Sequence, residues 1–224
     1  MKVLIRQGAL VAALLGVFVP GSWAGSVVAA AGSVEVAFSP WDDTEGLVLK
    51  VLRDARQSVL VQAYVLTSRN IAAALQAARQ RGVDVRLLAD KEQMDRNENS
   101  LVAQVAASGV AVRLETRYSA AHNKVLVVDV DTPHPVVVTG SYNFSWSAQA
   151  RNAENLLVLR DNPALARLYR DNWLRHWQEA EPLDGVGETA TQSRTNAGKR
   201  SPQRTDVCAL LTVQERKLLG RDCR

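Results

Sequence analysis

Strand-like and helix-like segments alternate along the chain and predict an α/β fold: a mixed β-sheet between layers of α-helices, in one domain with a short C-terminal tail. Residues 58–66 are a short run rich in Val, Leu and Tyr, which is typical of a buried strand. In 44–56, and again after residue 71, apolar residues recur at helical spacing. Because 47% of the 224 residues are hydrophobic and 22% are charged, the composition indicates a globular protein and excludes a disordered one.

Each predicted element carries a local signal. Residues 34–38 alternate apolar and polar side chains like a half-buried strand, which stops before Pro40. The next helix, 44–56, is predicted to be capped by Thr44, and the helix that starts near residue 71 is predicted to end at Gly82. The other predicted strands are 83–89, 110–114, 124–130, 136–139 and 156–159, and the other predicted helices are 101–107 and 162–179.

The N-terminal segment, 1–24, has the pattern of a secretory signal peptide. Two cationic residues precede an apolar run over 9–19, and the segment ends in Ser-Trp-Ala. The run is shorter than the ~20 residues that span a bilayer, which favours cleavage over an uncleaved membrane anchor. We expect cleavage after Ala24, with the alanine cluster at 29–31 as a second candidate, and export to the periplasm or the medium.

A linker and a short tail follow the main domain, which we place at 34–181. Residues 185–205 are rich in Gly, Thr, Ser, Arg and Pro and predict a flexible linker. In 206–224 a capping box precedes a short apolar stretch, which predicts a short helix. Cys208 and Cys223 lie in this tail, and an export compartment would permit a disulfide between them; the alternative is two free thiols.

The formal charge of +4 is distributed unevenly. Residues 25–184 hold 17 basic and 19 acidic side chains, whereas 185–224 hold eight basic and four acidic ones. The central domain therefore has no general attraction for a polyanion, while the basic linker is either a solvated segment or a tether for a phosphate polymer. Neither a Cys-rich metal module nor an HExxH or CxxC motif is present in the sequence, so we expect no metal or other cofactor.

Residues of catalytic character cluster between 122 and 155. His122 and Lys124 are two residues apart in a predicted strand, so their side chains are expected on the same face. An imidazole beside a fixed ammonium suits nucleophilic attack on a phosphodiester, because the lysine neutralises phosphate oxygens. Asp129 has the opposite parity and is predicted to be structural, as a charge partner or turn anchor.

Two further segments complete the candidate site. Ser141 and Asn143 follow Gly140 at the end of a predicted strand, and both can donate hydrogen bonds to one bound phosphate. Glu154 enters the last strand and is suited to accept from Nδ1 of His122, which would fix the tautomer of the imidazole.

The other histidines and the aromatic residues of the last helix receive structural interpretations. His134 lies beside two prolines and is predicted to be exposed, and His176 is predicted to pack or to lie at the surface. Trp173 and Trp177 on the predicted helix 162–179 are expected in the core rather than as a base-stacking platform.

The order and spacing of the candidate residues resemble the HKD motif of the phospholipase D superfamily. The motif residues are His122, Lys124, Asp129, Gly140, Ser141 and Asn143, with Glu154 downstream. The likeness is greatest to the exported endonuclease branch, whose members carry one copy of the motif, and it covers roughly 34–180. The ten residues between Asp129 and Gly140 are more than the family commonly has, and we interpret them as a longer hairpin.

The resemblance implies a two-step reaction. One histidine forms a phosphohistidine, and a histidine from a second copy of the motif protonates the leaving oxygen and then activates water. Because this chain has one copy, the resemblance implies a homodimer with a composite active site and no metal. The expected function is metal-independent hydrolysis of DNA or RNA with little sequence preference. One alternative is hydrolysis of a phospholipid headgroup ester. A second is a non-enzymatic nucleic-acid-binding module, and the intact motif disfavours this second alternative.

Overall fold

The computed structural model describes residues 25–183 of the chain. The predicted signal peptide, linker, C-terminal helix and Cys208–Cys223 pair lie outside these residues. The strands are β1 Ser33–Ser39, β2 Ser58–Ala63, β3 Asp84–Asp90, β4 Ala111–Glu115, β5 Lys124–Val128, β6 Val136–Gly140, β7 Glu154–Arg160 and β8 Glu181–Pro182. The helices are α1 Thr44–Asp54, α2 Arg69–Gln80, α3 Lys91–Arg96, α4 Val102–Ala107, α5 Trp146–Ala150 and α6 Pro163–Glu179. Over 25–183, no helix has the length and apolar character needed to cross a membrane.

These eight strands form one mixed sheet in the order β1-β7-β6-β5-β2-β3-β4-β8. Strands β2, β3 and β4 run parallel to one another, and the remaining pairs are antiparallel. The central strands β2 and β5 are mostly apolar and buried because helices cover both of their faces. The predicted fold class is thus confirmed.

Each face of the sheet has its own core. Helices α1, α2 and α4 pack on one face, where Leu52 and Leu75 are fully buried. Helix α6 covers the other face through Trp173, whose indole N–H donates to the backbone oxygen of Val61 at 2.8 Å. The Trp177 ring stacks on Trp173 with centroids 4.8 Å apart. These two tryptophans therefore pack in or against the core, as expected from the sequence.

Several element ends differ from the predictions. Asp43, not Thr44, caps α1, because the Asp43 carboxylate accepts from the backbone N–H of Gly46 while Thr44 is itself helical and buried. Strand β2 stops at Ala63, three residues early. Strand β5 begins at Lys124 and ends before Asp129, whose positive φ of 52° is incompatible with a strand. His122 therefore precedes the strand in which it was expected.

Two short helices, α3 and α5, were absent from the predictions. They have six and five residues, which is too short for an apolar stripe to emerge from the sequence. Each begins at a side-chain cap, Asp90 for α3 and Ser145 for α5, and these caps were the available local signal.

Candidate active site

The candidate residues converge at one end of three neighbouring interior strands, β5, β6 and β7. Lys124 begins β5, Gly140 ends the neighbouring antiparallel strand β6, and Glu154 begins β7 beside it. Antiparallel pairing places the start of one strand next to the end of its neighbour, so the three segments meet. The end of β1 joins them, because Ser39 pairs with Glu154.

His122 and Lys124 form the centre of this cluster. Nζ of Lys124 lies 2.9 Å from Nδ1 of His122 and donates to the His122 backbone oxygen at 2.6 Å. His122 is exposed, whereas Lys124 is 4% exposed. The expected juxtaposition of imidazole and ammonium is therefore present, although His122 lies outside the strand. The imidazole faces solvent and the ammonium lies beneath it.

Tyr64 supports both groups. Its ring centroid is 4.4 Å from that of His122, and Nζ of Lys124 lies 4.8 Å from the Tyr64 centroid. The Tyr64 hydroxyl accepts from Nε2 of Gln93 on α3 at 2.9 Å, and its backbone N–H donates to Asn123. The negative face of an aromatic ring attracts a cation at this distance, so Tyr64 holds the ammonium without neutralising it.

The environment of Lys124 changes its acidity. Burial lowers the pKa of Lys124 from 10.5 to about 8, and the nearby carboxylate of Glu154 opposes the shift. No carboxylate forms a salt bridge with Lys124 within residues 25–183. The ammonium is thus charged at neutral pH and has the hydrogen-bonding capacity to take an anion.

Gly140 and Ser141 join the end of β6 to the start of β7, next to His122 and Lys124. The backbone N–H of Ser141 donates to the Asn155 oxygen at 3.1 Å, and the Asn155 N–H donates to Oγ of Ser141 at 3.1 Å. A Cβ on Gly140 would lie 2.3 Å from the Asn155 oxygen, so only glycine allows this approach. Ser141 is exposed, and its hydroxyl hydrogen remains able to donate to a ligand.

The turn after Ser141 contains two buried polar atoms without a hydrogen-bond partner. Oδ1 of Asn143 and the hydroxyl of Tyr142 have no hydrogen-bond partner within residues 25–183. Burial is the main cause that raises the pKa of the Tyr142 phenol, with Glu45, Asp43 and Glu154 adding to it, and it keeps the phenol protonated. Unsatisfied buried polar atoms are costly, and two of the three found in residues 25–183 lie in this turn, the third being Oγ1 of Thr44.

Glu154 does not make the expected contact with His122. Its carboxylate accepts from Nδ2 of Asn152 at 2.9 Å, while Nδ1 of His122 faces Lys124. An ammonium only donates hydrogen bonds, so in this arrangement Nδ1 is the acceptor and carries no proton. The prediction that Glu154 fixes the tautomer is therefore wrong for the arrangement in the structure, because Lys124 occupies the position beside Nδ1.

Asp129 lies at the opposite end of β5. Its carboxylate accepts from the backbone N–H groups of Arg56, Gln57 and Ser58 at 2.7 to 3.0 Å. The backbone N–H of Asp129 donates to the backbone oxygen of Ser58, and the backbone oxygen of Asp129 accepts from the Thr132 hydroxyl. The contacts are those of a turn anchor that joins the end of β5 to the start of β2.

The other histidines lie apart from the candidate centre. His134 is exposed in the β5–β6 hairpin, beyond the far end of β5, and Nδ1 lies 3.0 Å from Asp161. His176 Nδ1 lies 2.5 Å from the buried carboxylate of Glu115, which also accepts from Gln62. Neither histidine has a neighbouring lysine in the described part of the chain.

Four side chains of the site were not assigned to it from the sequence: Tyr64, Gln93, Asn152 and Asn155. The two asparagines flank Glu154, and their proximity in the sequence was the available signal. Gln93 lies on α3, the helix that was missed. Within residues 25–183, no group of three or more His, Cys, Asp or Glu side chains is placed to hold a metal ion.

Comparison with known proteins identifies the family. A family model described as "Cardiolipin synthase, PLD-like domain" matches residues 48–177, which is more than half of the chain. The chain belongs to the phospholipase D family. This membership confirms the resemblance drawn from the HKD motif.

Individual relatives agree with this membership. A phospholipase D from Rickettsia prowazekii is 33% identical over 141 residues, which cover 63% of this chain and 66% of the relative, just under two thirds of its length. A mouse mitochondrial cardiolipin hydrolase is 31% identical over 135 residues, covering 60% of this chain and 58% of the relative. The crystal structure of Nuc, a phospholipase D family member from Salmonella typhimurium, matches with a TM-score of 0.63 and 33% identity, over 68% of this chain and 99% of that one.

Proposed function

We propose that the protein is an exported, metal-independent phosphodiesterase that hydrolyses nucleic acid with little sequence preference through a phosphohistidine intermediate. The observation that carries the proposal is the pairing of an exposed imidazole with a buried ammonium, 2.9 Å apart, in a member of the phospholipase D family. The ammonium supplies the positive charge that a phosphodiester needs during attack, so the chemistry requires no metal.

In the first step Nε2 of His122 attacks phosphorus. An N–P bond forms, the P–O bond to the leaving group breaks, and the leaving oxygen takes a proton from a second, protonated histidine. In the second step the same second histidine, now neutral, accepts a proton from water. The water oxygen attacks phosphorus, the N–P bond breaks, and both histidines return to their starting states.

Phosphate binding has to rearrange the contact between His122 and Lys124. A neutral imidazole whose Nδ1 accepts from Lys124 carries its proton on Nε2, which then cannot attack. When a phosphate oxygen replaces Nδ1 as the acceptor for Nζ, Nδ1 can hold the proton and Nε2 is free. Glu154 begins β7 at this end of the strands, and we propose that its carboxylate moves from Asn152 to receive that Nδ1–H when phosphate is bound.

The second histidine is proposed to come from a second copy of the chain. Within residues 25–183, His134 lies at the far end of β5 and His176 is held by Glu115, so neither can serve His122. A two-fold dimer would bring two copies of one surface together and supply His122 twice. Sedimentation should give twice the chain mass, and mixing wild type with His122→Asn should give heterodimers without full turnover. A fully active monomer would contradict the composite site.

Phospholipid is the second candidate substrate. It is favoured by the relatives, which are named phospholipase D and cardiolipin hydrolase. Against it, α6 exposes among its large apolar side chains only Leu168, so this helix has no wide apolar face for a bilayer. Nucleic acid is preferred because His122 is open to solvent at the start of the interior strand β5, where a polymer can lie across the ends of the strands.

One parallel assay separates the candidates. Purified protein is incubated with plasmid DNA, RNA, phosphatidylcholine vesicles and cardiolipin vesicles, with and without excess chelator, and with His122→Asn as the inactive control. The proposal expects cleavage of DNA or RNA that persists in chelator and is lost in the variant. Release of lipid headgroups without cleavage of nucleic acid would assign the phospholipid function instead. Activity that requires magnesium would contradict the mechanism.

Export and the tail are part of the same proposal. Intact-mass analysis of secreted protein should show removal of residues 1–24 and, if Cys208 and Cys223 are bridged, the loss of two hydrogens. Retention of Met1 or two alkylatable thiols would contradict the respective part. If 185–224 is a tether, its deletion should weaken binding of nucleic acid and reduce the salt dependence.

A further inference from the structure

The segment that carries His122 has little backbone structure of its own. Residues 116–123 connect β4 to β5 without forming a helix or a strand. Among the described residues, 117–122 make no backbone–backbone hydrogen bond. Ala121 is buried and His122 is exposed, so the chain turns outward between them. Side chains from other elements therefore have to fix the position of His122.

Asp90, the last residue of β3, holds this segment from inside the protein. Its Oδ2 accepts from the backbone N–H of Ala121 at 2.8 Å, and its Oδ1 accepts from the backbone N–H of Gln93 at 2.8 Å. The first bond is made by the residue directly before His122. The second bond caps α3, the helix that carries Gln93. Both oxygens of one carboxylate are therefore used, and both bonds lead towards the candidate active site.

The bond to Gln93 reaches the active site through Tyr64. Nε2 of Gln93 donates to the Tyr64 hydroxyl at 2.9 Å, and the Tyr64 ring lies beside His122, with centroids 4.4 Å apart. The backbone N–H of Tyr64 donates to the backbone oxygen of Asn123, the residue after His122, at 3.1 Å. Asp90 and Tyr64 therefore constrain the chain on the two sides of His122.

Burial determines what kind of role Asp90 can have. Its exposed fraction is 3%, so a phosphodiester that meets the exposed His122 does not reach the Asp90 carboxylate. Another hydrogen bond on the same segment, from the Tyr118 hydroxyl to Glu179, joins exposed groups, and water competes for such a bond. The buried bond to Ala121 is the tighter constraint. Asp90 can thus act on the reaction only through the residues that it holds.

We infer that Asp90 is a positioning residue for the nucleophile, and that it fixes His122 through the backbone N–H of Ala121. The inference rests on the proposed function and deepens it, because His122 has to be placed for attack on phosphorus. A misplacement of about 1 Å can cost roughly a hundred-fold in rate. The phosphate-binding side chains Lys124 and Ser141 make no hydrogen bond with Asp90 in the described part of the chain, so loss of the Ala121 bond should slow the chemistry and leave phosphate affinity nearly unchanged.

The decisive variant is Asp90→Ser in the full chain. Serine is as good a helix cap as aspartate, so its hydroxyl can keep the bond to Gln93, but it lacks the second oxygen that holds Ala121. The kcat on bis(p-nitrophenyl) phosphate should fall roughly ten- to a hundred-fold, and the inhibition constant of inorganic phosphate should stay within about three-fold. In amide hydrogen exchange followed by NMR, Ala121 should lose its protection while Leu126 in β5 keeps it.

Asp129→Asn is the matched control. Asp129 is also a buried carboxylate that accepts from backbone N–H groups beside the end of a strand, but it lies at the other end of β5. This variant should lose stability and keep its kcat. If Asp90→Ser does not fold, Asp90→Asn replaces it: asparagine is an equally good cap, and its amide nitrogen then faces the Ala121 N–H and cannot accept from it. The same fall in kcat and the same loss of Ala121 protection are expected.

Several outcomes would overturn the positioning role and leave the proposed function intact. They are a wild-type kcat in Asp90→Ser, an equal fall of kcat in Asp129→Asn, and a phosphate inhibition constant that weakens as much as kcat falls. Fast exchange of the Ala121 amide in the wild-type protein would overturn it without any variant. Absence of wild-type turnover, or turnover that survives His122→Asn, would instead overturn the proposed phosphodiesterase function itself.

Discussion

The two ends of β5 differ in how fully the charge of a buried side chain is compensated by its neighbours. Lys124 at the start of the strand is 4% exposed, and Asp129 just beyond its end is 8% exposed. The Asp129 carboxylate accepts from three backbone N–H groups. The Lys124 ammonium contacts an imidazole nitrogen, one carbonyl oxygen and an aromatic face, but forms no salt bridge with a carboxylate in the described region.

This difference distinguishes a structural residue, Asp129, from a residue proposed to take part in the chemistry, Lys124, within one motif. A buried charge is expensive unless it is fully hydrogen-bonded or paired, and Asp129 meets that condition. Lys124 does not, and the cost appears as its lowered pKa. A charge that the fold buries but does not pair remains available for a ligand of opposite charge, which here is a phosphate.

The largest expected effect is on catalysis at the Lys124 end. His122→Asn and Lys124→Ala should each reduce kcat/KM on bis(p-nitrophenyl) phosphate by roughly a thousand-fold or more, because one removes the nucleophile and the other the ammonium beside it. His134→Asn is the matched control, since it changes a histidine at the far end of β5. Residual activity near wild type in either site variant would contradict the assigned roles.

At the other end, Asp129→Asn should affect stability and spare catalysis. The amide retains one acceptor oxygen and loses the charge, so we expect the free energy of unfolding to fall by roughly 2 to 4 kcal/mol. The kcat of the folded protein should be unchanged, because Asp129 makes no contact with the His122 cluster. Asp131→Asn is the control: its exposed ion pair with Arg170 should contribute less than about 1 kcal/mol. A large loss of kcat in Asp129→Asn would place Asp129 in the chemistry.

The lowered pKa of Lys124 predicts opposite trends in activity and stability over one pH window. Activity as kcat/KM should fall as pH rises through about 8, because the free enzyme loses its ammonium there. Stability should rise between about 8 and 10.5, because the unfolded chain binds the proton that the folded chain has released. The full gain from this residue is about 3 kcal/mol.

Lys124→Met tests the stability half of that prediction, because it removes the titrating group and keeps the buried apolar stem. Its unfolding free energy, measured by denaturant titration against pH, should lack the rise that wild type shows between pH 8 and 10.5. At pH 7 the variant should be the more stable protein, since it no longer buries an unpaired charge. Identical pH curves for the two proteins would show that Lys124 is not the cause.

The same contrast explains which features the sequence could predict. The mixed sheet and the position of Lys124 follow from alternation and side-chain parity, which are local properties of a strand. The structural role expected for Asp129 is present, but in a turn beyond β5, where the parity argument does not apply. The contact expected between Glu154 and His122 is absent because Nζ of Lys124 lies beside Nδ1 of His122, while Glu154 accepts from Asn152. The conformation of the Lys124 side chain decides this, and the periodicity of the sequence does not predict it. Thr44 was wrong as a cap for a similar reason, because Asp43 competes for the same N–H groups.

Tyr64 was outside the predicted site because its role requires two segments far apart in sequence. It lies just after β2, and it contacts His122 and Lys124 only because β2 and β5 pair antiparallel, with Ala63 opposite Lys124. Gln93, which orients its hydroxyl, is on a helix with no apolar stripe. Long-range pairing and short capped helices are the parts of this site that single-sequence periodicity does not determine.

The smallest effect on activity is expected at Tyr64, where two variants distinguish the contribution of the aromatic ring from that of the hydroxyl. Tyr64→Leu removes the aromatic face and should reduce kcat/KM roughly three- to ten-fold, whereas Tyr64→Phe keeps the face and should stay within about two-fold. The face favours the charged form of Lys124, so in Tyr64→Leu the alkaline fall in activity should move to lower pH by roughly half a unit or more. Tyr118→Leu, an exposed tyrosine bonded to Glu179, is the control and should move neither quantity. A loss of activity in Tyr64→Leu with no movement of the alkaline limb would mean that the ring only fills space beneath His122.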